Sequence, residues 1–329
     1  MKRDKTINLA MIGTGMMLEL IAKDLELTEN IHLKVLFSRD KERGVQAASK
    51  YGFEESSDNL QEVLEREDID LVYIASPHSE HFRLGKLALD AGKPILVEKA
   101  MTTNSSDTEA LCRYAQERNL FAMEAMWMAF NPVVIESVRR IQNGELGNDL
   151  RLNANFSMVF PFVPESRLWN PNMAAGTTLD QGVYTYSLAH LYFGKPSKIN
   201  ARGRIVNGID AEVAADLQFD SSHSAHCFNG LLVAGTNDAV IYGTEGFLRL
   251  DANFTGSAGF DLVLRTKGRI THTERFQLEP EGRGYVPMLR SVANAIMECQ
   301  IEHPRRNHKA TIEVAEIMDN VLDQVMGQR

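Results

Sequence analysis

The feature that most constrains the fold is a regular alternation, over residues 1–123, of short apolar runs with longer helix-like stretches. The first apolar run, Ile7–Ile12, leads directly into the turn Gly13-Thr14-Gly15, and a helical pattern follows from Met16 to about Leu27. Short strands that are apolar on both faces and alternate with helices form parallel sheets that helices cover on both sides. The sequence therefore predicts a doubly wound parallel α/β domain over residues 1–123. The further predicted strands are Leu33–Phe37, Leu71–Ala75, Ile95–Val97 and Leu120–Met123.

A different pattern begins after residue 130 and predicts a second domain over residues 124–329. A helix begins at Asn131-Pro132, where proline suits the first turn, and ends near Gln142. Later stretches alternate apolar and polar residues between turns rich in Gly, Asn and Asp, which indicates an α/β domain with a large, mostly antiparallel open sheet. The predicted strands are Leu150–Val159, Ile199–Val206, Val213–Phe219, Ser224–Val233, Ala239–Tyr242, Phe247–Leu250 and Asp261–Arg265, and the predicted helices are Asp180–Phe193, Tyr285–Gln300 and Ala310–Met326.

Composition narrows the class of protein. The 329 residues carry 35 Lys and Arg against 44 Asp and Glu, whereas nucleic acids and anionic membranes are bound through clustered positive charge. Three scattered cysteines exclude a disulfide framework and favour a reducing compartment. The longest apolar run, Ala125–Phe130, is far shorter than the roughly 20 residues of a membrane span, and no signal-peptide core follows the basic residues 1–5. We expect a cytoplasmic protein with a small-molecule substrate and neither a nucleic acid nor a membrane as partner.

The turn after the first strand is the candidate phosphate-binding site. Its glycines permit a tight turn and a close approach of the backbone to a pyrophosphate, which the N-terminus of the following helix favours electrostatically. The third glycine of the dinucleotide-binding pattern is absent, because Leu18 stands in its place. The alternative is a strand-to-helix turn that binds nothing. The residues predicted to bind the cofactor here are Gly13, Thr14, Gly15, Met16 and Met17.

The residues after the second strand bear on the choice between NADP and NAD. An acidic residue directly after this strand would bind the ribose hydroxyls and repel a 2′-phosphate. Ser38 and Arg39 come first here and offer a hydroxyl and a guanidinium, which suit a phosphate group. The sequence therefore favours NADP, and Asp40 keeps NAD(H) possible because its carboxylate could reach the ribose. The alternative is that Arg39 pairs with a surface acid and Asp40 only caps the next helix.

Two more strand ends should border the cofactor, because ligands of doubly wound sheets bind at the carboxyl ends of the strands. Ser76, Pro77 and His78 follow one strand, with His81 one helical turn beyond them. Glu98 and Lys99 follow another strand, and Lys99 can donate to a substrate hydroxyl. We expect both groups to contact the cofactor. The alternatives are a histidine that packs on a helix face and a solvated Glu-Lys surface pair.

The segment 176–184 carries the other candidate catalytic residues. Asp180 and Tyr184 are four residues apart and share a face if the segment is helical. A tyrosine close to a lysine ammonium would have its pKa lowered from about 10. Its phenol could then exchange the substrate's hydroxyl proton while hydride moves to or from a nicotinamide. The alternative is that Asp180 only caps the helix, through the amide of Val183, and that Tyr184 is a core residue.

A cluster of possible zinc ligands, His223, His226 and Cys227, does not predict a metal site. On a strand, positions 223 and 226 point to opposite faces. No Cys-x-x-Cys pair accompanies them. We therefore predict no metal.

The Gly-x-Gly turn, the Glu98-Lys99 strand end and the Asp180-to-Tyr184 helix together resemble the Gfo/Idh/MocA oxidoreductases over nearly the whole chain. The run Met123–Trp127 is similar to that of the dimeric dihydrodiol dehydrogenase branch, which is NADP-linked. The resemblance implies a dinucleotide-binding Rossmann domain and a second domain that often forms homodimers or homotetramers through its sheet. It also implies hydride transfer between NAD(P) and a hydroxyl or carbonyl of a sugar-like, cyclitol or cyclic diol substrate.

The same resemblance implies roles for individual residues. Lys99 corresponds to the family's catalytic lysine and Tyr184 to its acid–base group. Asp180 corresponds to the residue that orients the substrate or the lysine. Trp127 and Phe130 are then expected to line the substrate pocket near the nicotinamide, together with Asp180 and Tyr184.

Three positions depart from the family pattern and leave the substrate class open. Ala100 replaces the usual proline after the lysine, Ala129 stands where the related branch tends to have arginine, and Leu18 replaces a small residue. Two other functions fit the same fold: a dinucleotide-binding regulator that has lost catalysis, and a glycosidase that retains NAD. The presence of the lysine, the aspartate and the tyrosine favours the dehydrogenase over the regulator.

Overall fold

The computed structural model describes residues 6–220 and 222–327. These residues form two compact units. The first comprises the described residues up to Trp127 together with Glu281–Ile312, and the second comprises Met128–Pro280 together with the described residues from Glu313 on. Residues 1–5, on which the expectation about a signal peptide partly rests, lie outside the described part. Within that part, none of the helices is both long and apolar enough to cross a membrane.

The secondary structure of the described residues consists mainly of fourteen β-strands and nine α-helices. The strands are β1 (Ile7–Ile12), β2 (Ile31–Phe37), β3 (Glu55–Ser57), β4 (Leu71–Ile74), β5 (Ile95–Val97), β6 (Ala122–Glu124), β7 (Arg151–Ser157), β8 (Lys198–Val206), β9 (Ile209–Gln218), β10 (Ser224–Gly230), β11 (Ala239–Gly243), β12 (Gly246–Leu250), β13 (Gly259–Thr266) and β14 (Arg269–Gln277). The helices are α1 (Met16–Glu26), α2 (Lys41–Tyr51), α3 (Leu60–Glu65), α4 (His78–Asp90), α5 (Ser105–Glu117), α6 (Pro132–Gln142), α7 (Val183–Phe193), α8 (Val286–Met297) and α9 (His308–Met326).

The first unit is built on a six-stranded parallel sheet in the order β3-β2-β1-β4-β5-β6. Its central strands are apolar on both faces and fully buried, as in β4 and β5. The predicted doubly wound domain is therefore confirmed. The sequence did not predict β3 and α3, because both are short and mostly polar and so lack an apolar run.

Helix α8 belongs to the first unit, although the sequence places residues 124–329 in one domain. It packs on α1 and β2. The fully buried carboxylate of Asp24 in α1 accepts hydrogen bonds from the amides of Arg283 (2.8 Å) and Tyr285 (2.7 Å), just before α8. An apolar helix face does not identify its partner, so the sequence pattern could not show this packing.

The second unit is built on an eight-stranded sheet in the order β14-β13-β12-β11-β7-β10-β9-β8. Only the pair β7–β10 is parallel, and the other pairs are antiparallel. The predicted large, mostly antiparallel sheet is confirmed. The sequence missed β14, because this edge strand is almost wholly exposed and has no alternating apolar face. Assembly into homodimers or homotetramers through this sheet stays a prediction.

Helix α7 begins differently from the predicted helix Asp180–Phe193. Residues Thr178–Gly182 form a π-helical turn, and α7 proper starts at Val183. The turn is held by Asp210 on β9, whose buried carboxylate accepts a hydrogen bond from the amide of Thr178 (2.7 Å). Gly176 adopts φ +136°, and a Cβ there would lie 1.9 Å from the Asp210 carboxylate. Only glycine therefore permits this close packing.

A buried ion pair ties residue 306 to the sheet of the first unit. Glu124, at the end of β6, accepts a hydrogen bond from Nε of Arg306 (2.8 Å) through Oε2. Its other oxygen accepts a hydrogen bond from the amide of Met101 (2.9 Å). Glu124 and Arg306 are each about 1% exposed. Both charges are therefore compensated inside the protein rather than by water.

Replacing Arg306 with leucine should leave the Glu124 carboxylate buried without its cation. We expect Arg306→Leu to lower the free energy of unfolding by about 3–5 kcal/mol, the usual cost of breaking a buried pair on one side. Urea denaturation followed by circular dichroism measures this change. Arg305→Leu, at an exposed neighbouring position, is the matched control and should change stability by less than about 0.5 kcal/mol. Equal losses of unfolding free energy in Arg306→Leu and Arg305→Leu would show that the ion pair between Glu124 and Arg306 does not stabilise the protein.

Asp210 should make stability depend on pH. Burial raises the pKa of Asp210 to about 6, whereas the pKa of an aspartate in the unfolded chain is about 4. The folded protein therefore holds this proton more tightly, and its stability should fall by up to about 3 kcal/mol as the pH rises from about 4 to above 6. Asp210→Asn keeps an oxygen for the Thr178 amide and cannot ionise, so its stability should decline less.

Urea denaturation of the wild type and Asp210→Asn at a series of pH values measures this difference. Asp220→Asn, at an exposed position beyond the end of the same strand, is the control and should retain the wild-type pH dependence. The interpretation is wrong if Asp210→Asn and the wild type lose the same free energy over this pH range.

Candidate active site

The candidate cofactor-binding residues of the first unit lie where the strand order of the parallel sheet reverses, between β1 and β4. Ligands of doubly wound sheets bind at the carboxyl ends of the strands at this point. Gly13 follows β1 with φ +122°, and a Cβ there would lie 2.4 Å from the carbonyl oxygen of Ala75, which follows β4. Gly15 precedes α1, and a Cβ there would have no atom within 4 Å. Gly13 is therefore required by packing, whereas Gly15 leaves open space at the helix N-terminus.

The residues after Gly15 divide between surface and core. Met16 is 53% exposed and Met17 is half-buried. Leu18, which replaces the third glycine of the pattern, is 1% exposed and belongs to the core. Thr14 is half-buried, and its hydroxyl lies 3.3 Å from that of Ser38. The turn is thus linked to the end of β2.

The end of β2 places two arginines near this turn. Arg39 is exposed, and Nε of Arg43, in the first turn of α2, donates a hydrogen bond to the hydroxyl of Thr14 (2.8 Å). Asp40 caps α2, since its carboxylate accepts a hydrogen bond from the amide of Arg43 (3.0 Å). The sequence analysis did not identify Arg43. Its position four residues after Arg39, a second arginine close behind the end of the strand, could have indicated it.

The histidines of the next strand end contact the main chain. Nδ1 of His81 lies 2.9 Å from the carbonyl oxygen of Ala100, and Nε2 lies 2.8 Å from that of Ser76. Nε2 of His78 lies 3.1 Å from the carbonyl oxygen of Lys99. His81 is fully buried. Both of its ring nitrogens therefore lie within hydrogen-bond distance of a carbonyl oxygen, and the predicted contact of His81 with a cofactor stays a prediction.

The segment around Lys99 is held by buried acids. Glu98 is only 6% exposed and accepts a hydrogen bond from the hydroxyl of Tyr73, so it is not the solvated surface residue of the alternative interpretation. The amide of Glu98 donates to the carbonyl oxygen of Ile74 (2.9 Å). The Lys99–Ala100 peptide bond is cis, and Ala100 is buried. Lys99 itself is half-buried.

A separate group of candidate residues belongs to the other unit, around the start of α7. Oδ1 of Asp180 accepts a hydrogen bond from Nη1 of Arg167 (2.9 Å), and Asp180 is only 8% exposed. The cap position of α7 is Gly182, and Asp180 lies inside the π-helical turn before it, so Asp180 is not the cap residue that the alternative interpretation assumed. Tyr184 is 6% exposed, and its ring meets Phe156 edge-on with 5.5 Å between centroids. The unit therefore places Asp180 and Tyr184 on neighbouring turns of one buried segment.

Arg167 is a candidate functional residue that the sequence analysis missed. It lies in the loop between β7 and α7, and its side chain is 41% exposed. A guanidinium presents its N–H donors in a fixed fork that matches oxygen acceptors. No local pattern links an arginine in an irregular loop to an aspartate thirteen residues later, so only the structure could show this pair.

Gly182 lets α7 approach the sheet closely. A Cβ at Gly182 would lie 2.8 Å from the ring of Tyr186 and 3.2 Å from Nδ2 of Asn229. Asn229 donates to the hydroxyl of Tyr186 (3.2 Å) and accepts a hydrogen bond from Thr185 (2.9 Å). Burial raises the pKa of Tyr186 well above its usual value. Tyr186 is therefore a structural residue and is not suited to exchange protons near neutral pH.

Trp127 and Phe130, two of the four predicted pocket residues, are buried. The rings of Trp127 and Tyr285 pack together at a tilt of 33°, with 4.7 Å between their centroids. A Cβ at Gly284, which has φ +103°, would lie 3.0 Å from the Trp127 ring. Phe130 is 2% exposed and precedes α6. Lys99 and Trp127 belong to the first unit, whereas Phe130, Asp180 and Tyr184 belong to the second.

The residues considered as zinc ligands have separate partners. His223 accepts a hydrogen bond from the amide of Leu150 (3.1 Å), and His226 pairs with Asp216 (2.8 Å). Cys227 is fully buried, and burial raises the pKa of its thiol to about 12. A thiol that resists ionisation is a poor metal ligand, because metals bind the thiolate.

Comparison with protein-family models matches both units. Residues 7–126 match the Gfo/Idh/MocA model described as an oxidoreductase family with an NAD-binding Rossmann fold. Residues 136–249 match the C-terminal domain model of the same family.

Similar proteins include dehydrogenases. A trans-1,2-dihydrobenzene-1,2-diol dehydrogenase from Danio rerio is 28% identical over 219 residues, which span 66% of this chain and 65% of that protein, slightly less than two thirds. An NADP(+)-dependent D-xylose 1-dehydrogenase from Haloferax volcanii is 26% identical over 290 residues, 87% of each chain. Among solved structures, a 3-ketoreductase from Actinomadura kijaniata in complex with NADP and TDP-benzene is 25% identical, with a TM-score of 0.87 over 97% of this chain and 98% of that one. With two consecutive family models matched and the predicted fold present in both units, the chain belongs to the Gfo/Idh/MocA oxidoreductase family.

Proposed function

We propose that this protein is an NADP-dependent dehydrogenase or reductase that acts on a hydroxyl or carbonyl of a sugar-like, cyclitol or cyclic diol substrate. The observation that carries the proposal is the main-chain framework around Lys99 at a strand end of the dinucleotide-binding sheet. Buried side chains contact this segment on both sides of the lysine: Tyr73 contacts Glu98 before it, and His81 and Glu124 contact the main chain after it. A surface lysine without a function would not need such a framework. Asp180 and Tyr184, buried on the segment that opens α7, supply the other groups that the reaction needs.

The residues of the first unit fit a bound dinucleotide phosphate. Gly13 keeps the turn after β1 tight, and Gly15 leaves the N-terminus of α1 open to the pyrophosphate. At the end of β2, Arg39 and Arg43 offer exposed guanidinium groups to a 2′-phosphate. Asp40 is occupied as the cap of α2, which leaves it less available to the ribose hydroxyls of NAD. When bound, the nicotinamide accepts or supplies the hydride.

Side chains of this protein transfer the hydroxyl proton of the substrate and stabilise the negative charge that develops on its oxygen. During oxidation, the substrate carbon loses a hydride and its hydroxyl loses a proton. We assign that proton to the phenolic oxygen of Tyr184, which returns it when the reaction runs in reverse. The Lys99 ammonium stabilises negative charge on the reacting oxygen. Asp180, four residues before Tyr184, forms an ion pair with Arg167. We propose that this pair binds hydroxyl groups of the substrate.

The substrate class follows from the number of polar groups around the tyrosine. A carboxylate accepts hydrogen bonds and a guanidinium donates them, so such a pair suits two neighbouring hydroxyls, as a vicinal diol presents. The substrates that give the two similar dehydrogenases their names, D-xylose and a dihydrobenzenediol, both carry vicinal hydroxyls. We therefore propose a substrate with at least two neighbouring hydroxyl groups.

Substitution of the two proposed catalytic residues tests this function. With D-xylose, other aldoses, cyclitols and trans-1,2-dihydrobenzene-1,2-diol as the panel, we expect NADP+ reduction by the wild type. Lys99→Ala and Tyr184→Phe should each lower kcat by about 100-fold or more, because they remove charge stabilisation and proton transfer. Both variants should bind NADPH with nearly the wild-type Kd, measured by fluorescence titration.

Matched controls separate these roles from loss of structure. Tyr192→Phe removes a hydroxyl from the same helix that contacts Ser137 (2.7 Å), and Lys86→Ala removes an exposed ammonium from α4. Both should keep the wild-type kcat. Full activity in either catalytic variant would defeat the assigned role. NADPH binding without turnover of any panel member would instead favour a dinucleotide-binding regulator.

The two arginines after β2 should set the preference for NADP. We expect Arg39→Ala and Arg43→Ala each to raise the Kd of NADPH by about 10-fold, the value of one charge-assisted hydrogen bond. The Kd of NADH should stay within about twofold, because NADH lacks the 2′-phosphate. Lys50→Ala, which removes the same charge at the other end of α2, is the control. Equal losses for both cofactors, or no loss for NADPH, would contradict the proposed phosphate contact.

A further inference from the structure

His78 and His81, at the start of α4, contact two consecutive carbonyl groups of the main chain, those of Lys99 and Ala100. His78 reaches the carbonyl oxygen of Lys99 through Nε2 (3.1 Å). His81 reaches the carbonyl oxygen of Ala100 through Nδ1 (2.9 Å). The two rings also meet edge-on, with 5.5 Å between centroids. Helix α4 therefore contacts the backbone on the carboxyl side of Lys99 at two successive peptide groups.

These contacts add to others that fix the same segment. The amide of Met101 donates to the carboxylate of Glu124 (2.9 Å), and the amide of Lys99 donates to the carboxylate of Glu98 (3.3 Å). Amide donors are thus satisfied by acids, and carbonyl acceptors by histidines. A main-chain segment with partners on both kinds of group has little freedom to move.

His81 shares its ring between two carbonyls. Besides Ala100, it contacts the carbonyl oxygen of Ser76 through Nε2 (2.8 Å). Burial lowers the pKa of His81, which favours the neutral ring, and a neutral imidazole carries a single N–H. Carbonyl oxygens only accept hydrogen bonds. The neutral ring can therefore satisfy Ala100 or Ser76 but not both.

We propose that His78 and His81 are positioning residues for Lys99, each donating a hydrogen bond to a carbonyl on the carboxyl side of the lysine, His78 from Nε2 and His81 from Nδ1. Neither ring needs to touch the substrate for this role. The pair fixes the backbone from which the lysine side chain extends. A displacement of a catalytic group by about 1 Å can cost about 100-fold in rate. This proposal rests on the proposed catalytic role of Lys99.

Amide side chains can test the two hydrogen bonds separately. The NH₂ group of asparagine can take the place of Nδ1, and that of the longer glutamine can take the place of Nε2. His81→Asn should therefore keep the bond to Ala100, whereas His81→Gln should lose it. At position 78 the order reverses, because the contact is made by Nε2: His78→Gln should keep the bond to Lys99, and His78→Asn should lose it.

Two measurements follow the effect on the lysine segment. Hydrogen–deuterium exchange of peptides covering residues 98–101 should be several-fold faster in His81→Gln and His78→Asn than in the wild type, and near the wild-type rate in the other two variants. With a panel substrate, kcat should fall by about 10-fold to 100-fold in the same two variants. The KM for NADP+ should change by less than about threefold, because the lysine acts on the substrate oxygen.

The reciprocal pattern distinguishes positioning from a general loss of structure. His308→Asn is the control, since His308 is another buried histidine of this unit and its Nε2 contacts the carbonyl oxygen of Ala122 (2.9 Å). It should lower thermal stability without faster exchange at residues 98–101. Equal effects of Asn and Gln at both positions would overturn the proposal, as would unchanged exchange in all four variants. His78 is half-buried, so its variants should fold even if a substitution at His81 prevents folding.

The exchange measurement also separates this proposal from the proposed function. If no panel member is turned over but exchange follows the reciprocal pattern, the histidines hold the segment and the enzymatic assignment fails. If turnover is normal and exchange does not follow the pattern, the enzymatic assignment stands and the positioning role is wrong.

Discussion

Buried polar side chains that hydrogen-bond to main-chain groups at the ends of strands and helices are the interaction on which the rest of this structure depends. A buried amide or carbonyl without a partner costs about 1–3 kcal/mol, so an irregular segment can lie inside the protein only where side chains supply partners. Around Lys99 these partners are Glu98, Glu124 and the two histidines of α4. Around Thr178 the partner is Asp210. Both candidate catalytic segments thus have an irregular backbone, and buried side chains supply hydrogen-bond partners for their main-chain groups.

The same constraint explains why several of these side chains are ionisable. Carboxylates accept strong hydrogen bonds from amides, and the cost of burying them is offset in different ways. Glu124 has a buried arginine as its partner, Arg306, and Asp24 accepts three hydrogen bonds from two backbone amides. Among the described residues no cation pairs with Asp210, and burial raises its pKa to about 6. The acids that hold the main chain and the candidate catalytic Asp180 therefore differ in their surroundings, although all of them are carboxylates.

The sequence predicts features that depend on neighbouring residues, but not features that depend on contacts between residues far apart in the chain. The buried parallel strands follow from apolar runs such as Leu71–Ile74, and their order and the site at the β1–β4 reversal follow from general rules. The polar edge strands β3 and β14 lack any such run. Arg167 and the place of α8 depend on contacts between distant segments, which leave no periodic pattern in the sequence. The π-helical start of α7 depends on Asp210, about 30 residues further along the chain, so local helix propensity could not reveal it.

The contrast between buried and exposed polar groups also suggests how specificity and catalysis are divided. Side chains that fix the backbone, such as His81 and Asp210, are buried and engaged with main-chain groups. The arginines assigned to ligands, Arg39, Arg43 and Arg167, are exposed at their tips. A substitution at an exposed tip changes which ligand binds but leaves the backbone in place, whereas a substitution in the framework moves the lysine or the tyrosine. Relatives with the same fold could therefore acquire different substrates and cofactors through the exposed arginines while the buried framework stays unchanged.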